Sequence, residues 1–224
     1  MQTKNFQYWW KWTLNCGIGE LLGIGAAAAL AVWTHQTLGA PQTIEENMLY
    51  LAIMVFAGVI QEFILGTIQW KVLRLNFPKI SYFQWVGVTI LVAMLGWLFG
   101  TTSSMTFSVV VAEVPMQTEL FPPLWLSILV PIAMGLFLGV LFGYFQWLVL
   151  KEYADYTNSW IVANALGWGG AMLIVFYFAS LPNPTTPTPS VLLMGIIAGS
   201  LAGLSVGGIT GIALTRIVKL NHSS

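Results

Sequence analysis

Two carboxylic acids, Glu20 and Glu62, sit in stretches apolar enough for a lipid bilayer, within NCGIGELLGIG and GVIQEFILG. An acid at the bilayer centre costs roughly 2.5–3.5 kcal/mol on insertion scales, so it marks an ion, proton or ligand site by default. Glu20 lies about eight residues into its apolar stretch, ~12 Å of helical rise, and Glu62 about nine residues before Lys71, ~13 Å by the same rise. The two are therefore expected at one depth on neighbouring helices. Like charges in one site resist double ionisation, so the pair is expected to share a proton. With Asn15 and Gln61, the acids form a candidate site for a cation, a proton or a ligand's donor group. In the structural alternative they are interhelical glue, protonated or hydrogen-bonded, that fixes one helix pair.

Gln69, Gln146 and Thr210 form a second candidate set. They occupy matching positions in three similar segments described below. Facing a central axis, they would make a polar ring lining a vestibule. Facing neighbouring helices, they would be interhelical hydrogen bonders worth roughly 0.6 kcal/mol each. Asn164 is placed to join either network.

Composition fixes the elements that must carry these residues. The chain has 224 residues, of which 57% are hydrophobic and only 7% charged. A soluble domain carries about 25% charged residues. Six apolar stretches are long enough to span a bilayer, at 12–33, 48–73, 82–101, 124–150, 159–180 and 190–217. Each reaches the ~20 residues that a spanning helix needs. The runs are continuous and lack period-two alternation, which disfavours a β-barrel. The chain reads as a single all-α transmembrane domain over residues 1–224. Asn15 and Glu20 inside the first stretch suit a retained span better than a cleaved signal core.

All eight basic residues fall on one side of this frame: Lys4, Lys11, Lys71, Arg74, Lys79, Lys151, Arg216 and Lys219. The opposite connections carry Glu45, Glu46, Glu113 and Glu119 and no Lys or Arg. The positive-inside rule then puts both termini in the cytoplasm or its organellar equivalent. Trp9, Trp10, Trp12, Trp70, Trp85, Trp147 and Trp160 fall near the same interface and read as an aromatic belt, with NFQYWWKW along the membrane surface.

Glycines repeat in register. Gly58, Glu62, Gly66, Gln69 and Leu73 are matched by Gly135, Gly139, Gly143, Gln146 and Leu150, and by Gly199, Gly203, Gly207, Thr210 and Leu214. Small residues four apart open a groove that lets helices approach closely in lipid. Helix packing is therefore the first expectation for Gly58, Gly66, Gly135, Gly139, Gly143, Gly199, Gly203 and Gly207. Glu62 stands where the other copies have Gly139 and Gly203. The odd-numbered spans share a weaker pattern: Trp12, Gly19, Glu20, Gly23; Thr89, Gly96, Trp97, Gly100; Trp160, Gly167, Trp168, Ala171. The expected fold is three parallel pseudo-repeats of a helical hairpin, 12–73, 82–150 and 159–217, pseudo-threefold about the membrane normal.

The stretches GTIQWKVL and GYFQWLVL, with LGWLFG and WIVANALGW, resemble a group of uncharacterised bacterial six-helix membrane proteins, cyanobacterial ones among them, with repeated GxxxGxxQWxxL and LGWxxG stretches. The resemblance implies the six-helix fold and a bacterial inner or thylakoid membrane, and brings no activity with it.

No phosphate loop, nucleophile elbow, HExxH motif or dinucleotide fingerprint is present, and the sequence names no cofactor. His35 and His222 fall on opposite expected sides, so a paired histidine metal site is not expected, and Cys16 is the single cysteine. There is no basic patch suited to nucleic acid. The expected partners are the lipid bilayer and other membrane proteins or further copies of the chain. The leading expectation is a non-enzymatic accessory protein that packs through glycine-rich helix faces. The alternative is a small-solute or cation transporter or channel using Glu20 and Glu62.

Among the connections, 101–123 is expected to hold a re-entrant or interfacial turn. Residues 182–190 read as a stiff proline-rich link, and Asp155 or Asn158 as a cap for the fifth helix.

Overall fold

In lipid an apolar run must satisfy its backbone internally, and a continuous one does so as an α-helix. The computed structural model describes residues 2–112, 124–183 and 185–222, which form six helices: α1 (Gln2–Leu38), α2 (Ile44–Leu73), α3 (Tyr82–Ala112), α4 (Leu124–Leu150), α5 (Ser159–Ala179) and α6 (Thr188–Asn221). All six are long and apolar enough to cross a membrane, and no strand occurs among the described residues.

Local chemistry sets the boundaries. α1 ends at Gly39, which adopts φ +72° and donates its N–H to the His35 carbonyl. A side chain there would be strained. α2 starts with a capping box, in which the Thr43 hydroxyl accepts from Glu46 N–H and the Glu46 carboxylate accepts from Thr43 N–H. Prolines at the α5–α6 connection lie at and just inside the start of α6, where no intrahelical N–H is needed.

Each helix packs on its two neighbours in sequence, and α1 closes onto α6, so the six form a ring of antiparallel contacts. The α1–α6 and α4–α5 seams are the most extensive and α3–α4 the least. With neighbouring helices antiparallel, the start of α1 and the end of α6 fall at one end of the ring, as do the helix ends and links that carry Lys11, Lys71, Arg74, Lys79, Lys151, Arg216 and Lys219. Fully buried positions run over 57–73 in α2, 160–171 in α5 and 198–218 in α6, the parts of those helices nearer that basic end.

One expectation is corrected. The segment NFQYWWKW does not lie along a surface but continues α1 without a break. At 37 residues α1 is about 55 Å long. That exceeds the ~30 Å of a hydrocarbon core. Its first turns are held against α6, where Trp9 Nε1 donates to the Gly208 carbonyl at 2.9 Å and the Trp9 and Trp12 rings abut Gly211. Residues 101–112 of the connection expected to hold a turn extend α3; the remainder of it, 113–123, lies outside the described residues.

Candidate functional site

Glu20 reaches the site from α1, and Gln61 and Glu62 from α2. The helices meet closely because glycine flanks Glu20. A Cβ at Gly23 would come within 2.8 Å of Gln61 Cγ, and one at Gly19 within 2.7 Å of Leu65 Cδ1. On the other side of α1, Gly203 of α6 makes room for Glu20, whose Cβ and Cγ would lie 2.8 and 2.9 Å from an added methyl. Both acids are 2% exposed. Gln61 Nε2 donates to Glu20 Oε2 at 3.0 Å. That bond turns the other half of the amide, Gln61 Oε1, into an acceptor without a donor, and Glu62 Oε2 is in the same position. Glu62 follows Gln61 directly on α2 and is buried with it, so the second acid lies at the level of the Gln61–Glu20 bond. The nearest basic residues in sequence, Lys11 and Lys71, are nine residues from Glu20 and Glu62. That is about 13 Å of helix.

Towards the basic end the ring interior is filled. Trp12, Trp85 and Trp160 are 0%, 0% and 1% exposed. Trp160 stands between the other two, with ring centroids 5.8 Å from Trp12 and 6.0 Å from Trp85. Leu73, Leu150 and Leu214 pack in the same cluster with no exposed surface. The three tryptophans are therefore a core layer and not part of an interfacial belt. Trp70 and Trp147 are half-buried and fit a belt better, each carrying a cation over its ring, Arg74 at 4.8 Å and Lys151 at 4.3 Å.

Gln69, Gln146 and Thr210 are all buried at this level and bond to neighbouring helices. Trp12 Nε1 donates to Thr210 Oγ1 at 2.9 Å, and Trp160 Nε1 to Gln146 Oε1 at 3.2 Å. Gln146 Nε2 donates in turn to Thr89 Oγ1 at 3.1 Å, and Gln69 Nε2 to Cys16 Sγ at 3.7 Å. One bond of this set is missing: Trp85 Nε1 and Gln69 Oε1 are both buried and both without a partner.

The glycine ridges differ at the same seam. Gly143 faces Ile161 and Asn164, one and four residues past Trp160. Gly207 faces Thr13 and Cys16, one and four past Trp12. Gly66 faces Val86 and Thr89, one and four past Trp85. A Cβ would come within 2.7 Å of its neighbour at Gly143 and at Gly207, but within only 3.5 Å at Gly66. The next ridge position is Gly139 on α4 and Gly203 on α6, both in tight backbone approach to the facing helix, but Glu62 on α2. The α2–α3 seam is thus the looser one beside the position where a glutamate replaces a ridge glycine, and there Trp85 Nε1 and Gln69 Oε1 remain unpartnered.

Further along the ridges, Gly58 accepts the Trp97 indole, Gly135 meets the α5 backbone at Trp168, and Gly199 meets Ile24 and Glu20. All of the glycine ridges thus face helices of the same chain.

Asn15, expected at the acid pair, does not join it. Five residues along a helix turn the side chain about 140° away, and Asn15 Nδ2 donates instead to the Lys11 carbonyl. Asn164 likewise bonds within its own helix, to the Trp160 carbonyl. Asn158 makes no side-chain cap on α5, and Asp155 N–H is taken by Asn221 Oδ1. Among the described residues no three His, Cys, Asp or Glu side chains converge as metal ligands. Comparison with family models, curated proteins and solved structures returns no match.

The bonding pattern predicts unequal roles for the two glutamines. Gln146→Leu strands the buried indole N–H of Trp160 and frees Thr89, and is expected to destabilise by about 1–2 kcal/mol. Gln69→Leu removes one long bond to a thiol and an already unpartnered oxygen, and is expected to cost less than half as much. Unfolding of the two variants in mixed micelles checks the order.

Proposed function

We propose that this is a non-enzymatic accessory protein of a bacterial inner or thylakoid membrane, acting by association with other membrane proteins or with further copies of itself. Its fold is read as three copies of one hairpin, 12–73, 82–150 and 159–217, around a pseudo-threefold axis normal to the bilayer, with both termini cytoplasmic. Supporting the repeat are the three ridge contacts, each one and four residues past a central tryptophan. Supporting the orientation is the confinement of every Lys and Arg to the end that carries the termini.

The observation that carries the accessory role is the packed layer of Trp12, Trp85, Trp160, Leu73, Leu150 and Leu214, which fills the ring towards its basic end. A conducting bundle needs a wettable path at this level. Because the glycine ridges are used inside the ring, partners would meet the outward faces. Purification in gentle detergent followed by native mass spectrometry is expected to show a stoichiometric protein partner or a defined self-assembly. A bare monomer that supports solute flux in proteoliposomes, lost in Glu62→Gln, would overturn the role. The unpartnered oxygens of Gln61 and Glu62 favour a second reading, transport of a small solute or cation past Glu20 and Glu62.

A further inference from the structure

Glu20, Gln61 and Glu62 present more acceptors than the protein supplies donors. Gln61 is 6% exposed and its amide is fixed on Glu20 by the Nε2–Oε2 bond, so its unpartnered Oε1 is held beside the acid pair. While Glu20 is ionised, turning the amide over would set oxygen against carboxylate, so Gln61 Nε2 is the atom that faces it. Glu62 Oε2 is a second unpartnered oxygen at the same level. The group has no cationic side chain within about two helical turns along either chain segment, and the seam beside Glu62 is the open one of the three compared above. An oxygen-only cluster with surplus negative charge selects a hard cation. Ca²⁺ collects six to eight oxygens, and Mg²⁺ demands near-ideal octahedral geometry with several retained waters. Three side chains, one of whose oxygens is already engaged, offer neither.

We propose that Glu20, Gln61 and Glu62 bind a single monovalent cation, a sodium ion, with which a proton competes. One sodium and one proton, or two protons, neutralise the pair; either removes the repulsion between the carboxylates. The site holds the ion whether or not the protein moves it. The other titratable group facing the pair is Cys16 on α1. α6 carries none between Thr188 and Thr215, and α3 none between Phe83 and Gly100.

The test is thermal unfolding of the purified wild-type protein in detergent, followed by tryptophan fluorescence. NaCl is compared with choline chloride at equal ionic strength, at several pH values, with CaCl₂ as a further arm. Sodium is expected to raise the midpoint while choline does not. Above half-saturation each tenfold rise in sodium multiplies the folded-to-unfolded ratio about tenfold. The sodium concentration needed is expected to rise as pH falls. Glu62→Gln and Gln61→Met are each expected to lose the sodium response. Equal effects of sodium and choline in the wild type overturn the proposal without recourse to any variant. So do a response to calcium alone, or a sodium response retained in folded Glu62→Gln.

Discussion

Alanine at Gly143 or Gly207 is expected to lower the folded-to-unfolded ratio about tenfold or more, whereas alanine at the matching Gly66 is expected to be neutral or stabilising. Helix propensity favours all three exchanges, by about 0.8–1.0 kcal/mol. The difference is steric. At Gly143 the new methyl lies 2.7 Å from Ile161 Cα, and at Gly207 2.7 Å from Cys16 Cβ and 3.0 Å from Thr13 Cα. These atoms belong to, or sit directly on, helix backbone, so relief requires a whole helix to move. At Gly143 that movement also pulls Trp160 from Gln146. Overpacking of a well-packed interior costs about 1–3 kcal/mol, and more where backbone must shift. The propensity gain is thus outweighed, and the folded-to-unfolded ratio is expected to fall about tenfold or more at both sites. At Gly66 the nearest atoms are at 3.5 Å, ordinary contact, and the propensity term survives. Gly25→Ala and Gly87→Ala, with open space around each, are the controls. Equilibrium unfolding in mixed micelles gives the ranking. Equal losses at Gly66 and Gly143 would show that the α2–α3 seam is as tight as the other two.

The six spans were legible because bilayer thickness and backbone satisfaction leave a long apolar run few choices. Their ends were legible only coarsely: the stretches read as ending at 33 and starting at 48 run on to Leu38 and back to Ile44, where Gly39 and Thr43 set the boundaries. The extension of α1 was not, since a Trp-rich amphipathic segment has the same composition flat on a membrane or upright against α6. The burial of Glu20 and Glu62 was legible from their depth in apolar runs, but the bond from Gln61 to Glu20 was not, since adjacency to Glu62 names no partner. Asn15 was drawn in by proximity in sequence, which on a helix is a poor guide to facing. The tryptophan layer was missed for a related reason. An indole near a helix end suits both the headgroup zone and a packed core. The discriminating feature was position relative to the ridges: Trp12, Trp85 and Trp160 each stand one residue before a glycine contact on the facing helix. That register places Trp85, four residues before the Thr89 that opened the third span's pattern, beside Trp12 and Trp160. The roles of Gly19 and Gly23 against α2 likewise needed the structure, because a glycine names no partner.

Glu62→Gly, assayed without sodium, is expected to raise stability, although glycine is a poor helix former. In a helix interior glycine costs about 0.5–1 kcal/mol relative to alanine. Against this, the substitution removes a buried carboxyl group whose burden at mid-bilayer is roughly 2.5–3.5 kcal/mol. It also completes the ridge between Gly58 and Gly66 in the pattern of α4 and α6, so α2 can settle onto α3. Settling brings the Trp85 indole to Gln69 Oε1, joining the two unpartnered atoms of that seam for about 0.6 kcal/mol. If the helices do not close, a void of ~80 Å³ remains at ~24 cal/mol per Å³, about 2 kcal/mol, which cancels the gain. The sign of the change therefore reports whether the seam closes. Glu62→Ala keeps a Cβ in the ridge and is expected to fall between wild type and Glu62→Gly. Glu62→Leu relieves the charge but keeps the wedge, so it separates electrostatics from packing. A second readout follows Trp85 itself: its fluorescence in a background with the other tryptophans replaced by phenylalanine is expected to change in Glu62→Gly and not in Glu62→Leu. Equal stabilisation by leucine and glycine, with Trp85 unmoved in both, would mean that the glutamate's charge alone loosens this side of the ring and that the glycine register has no part in it.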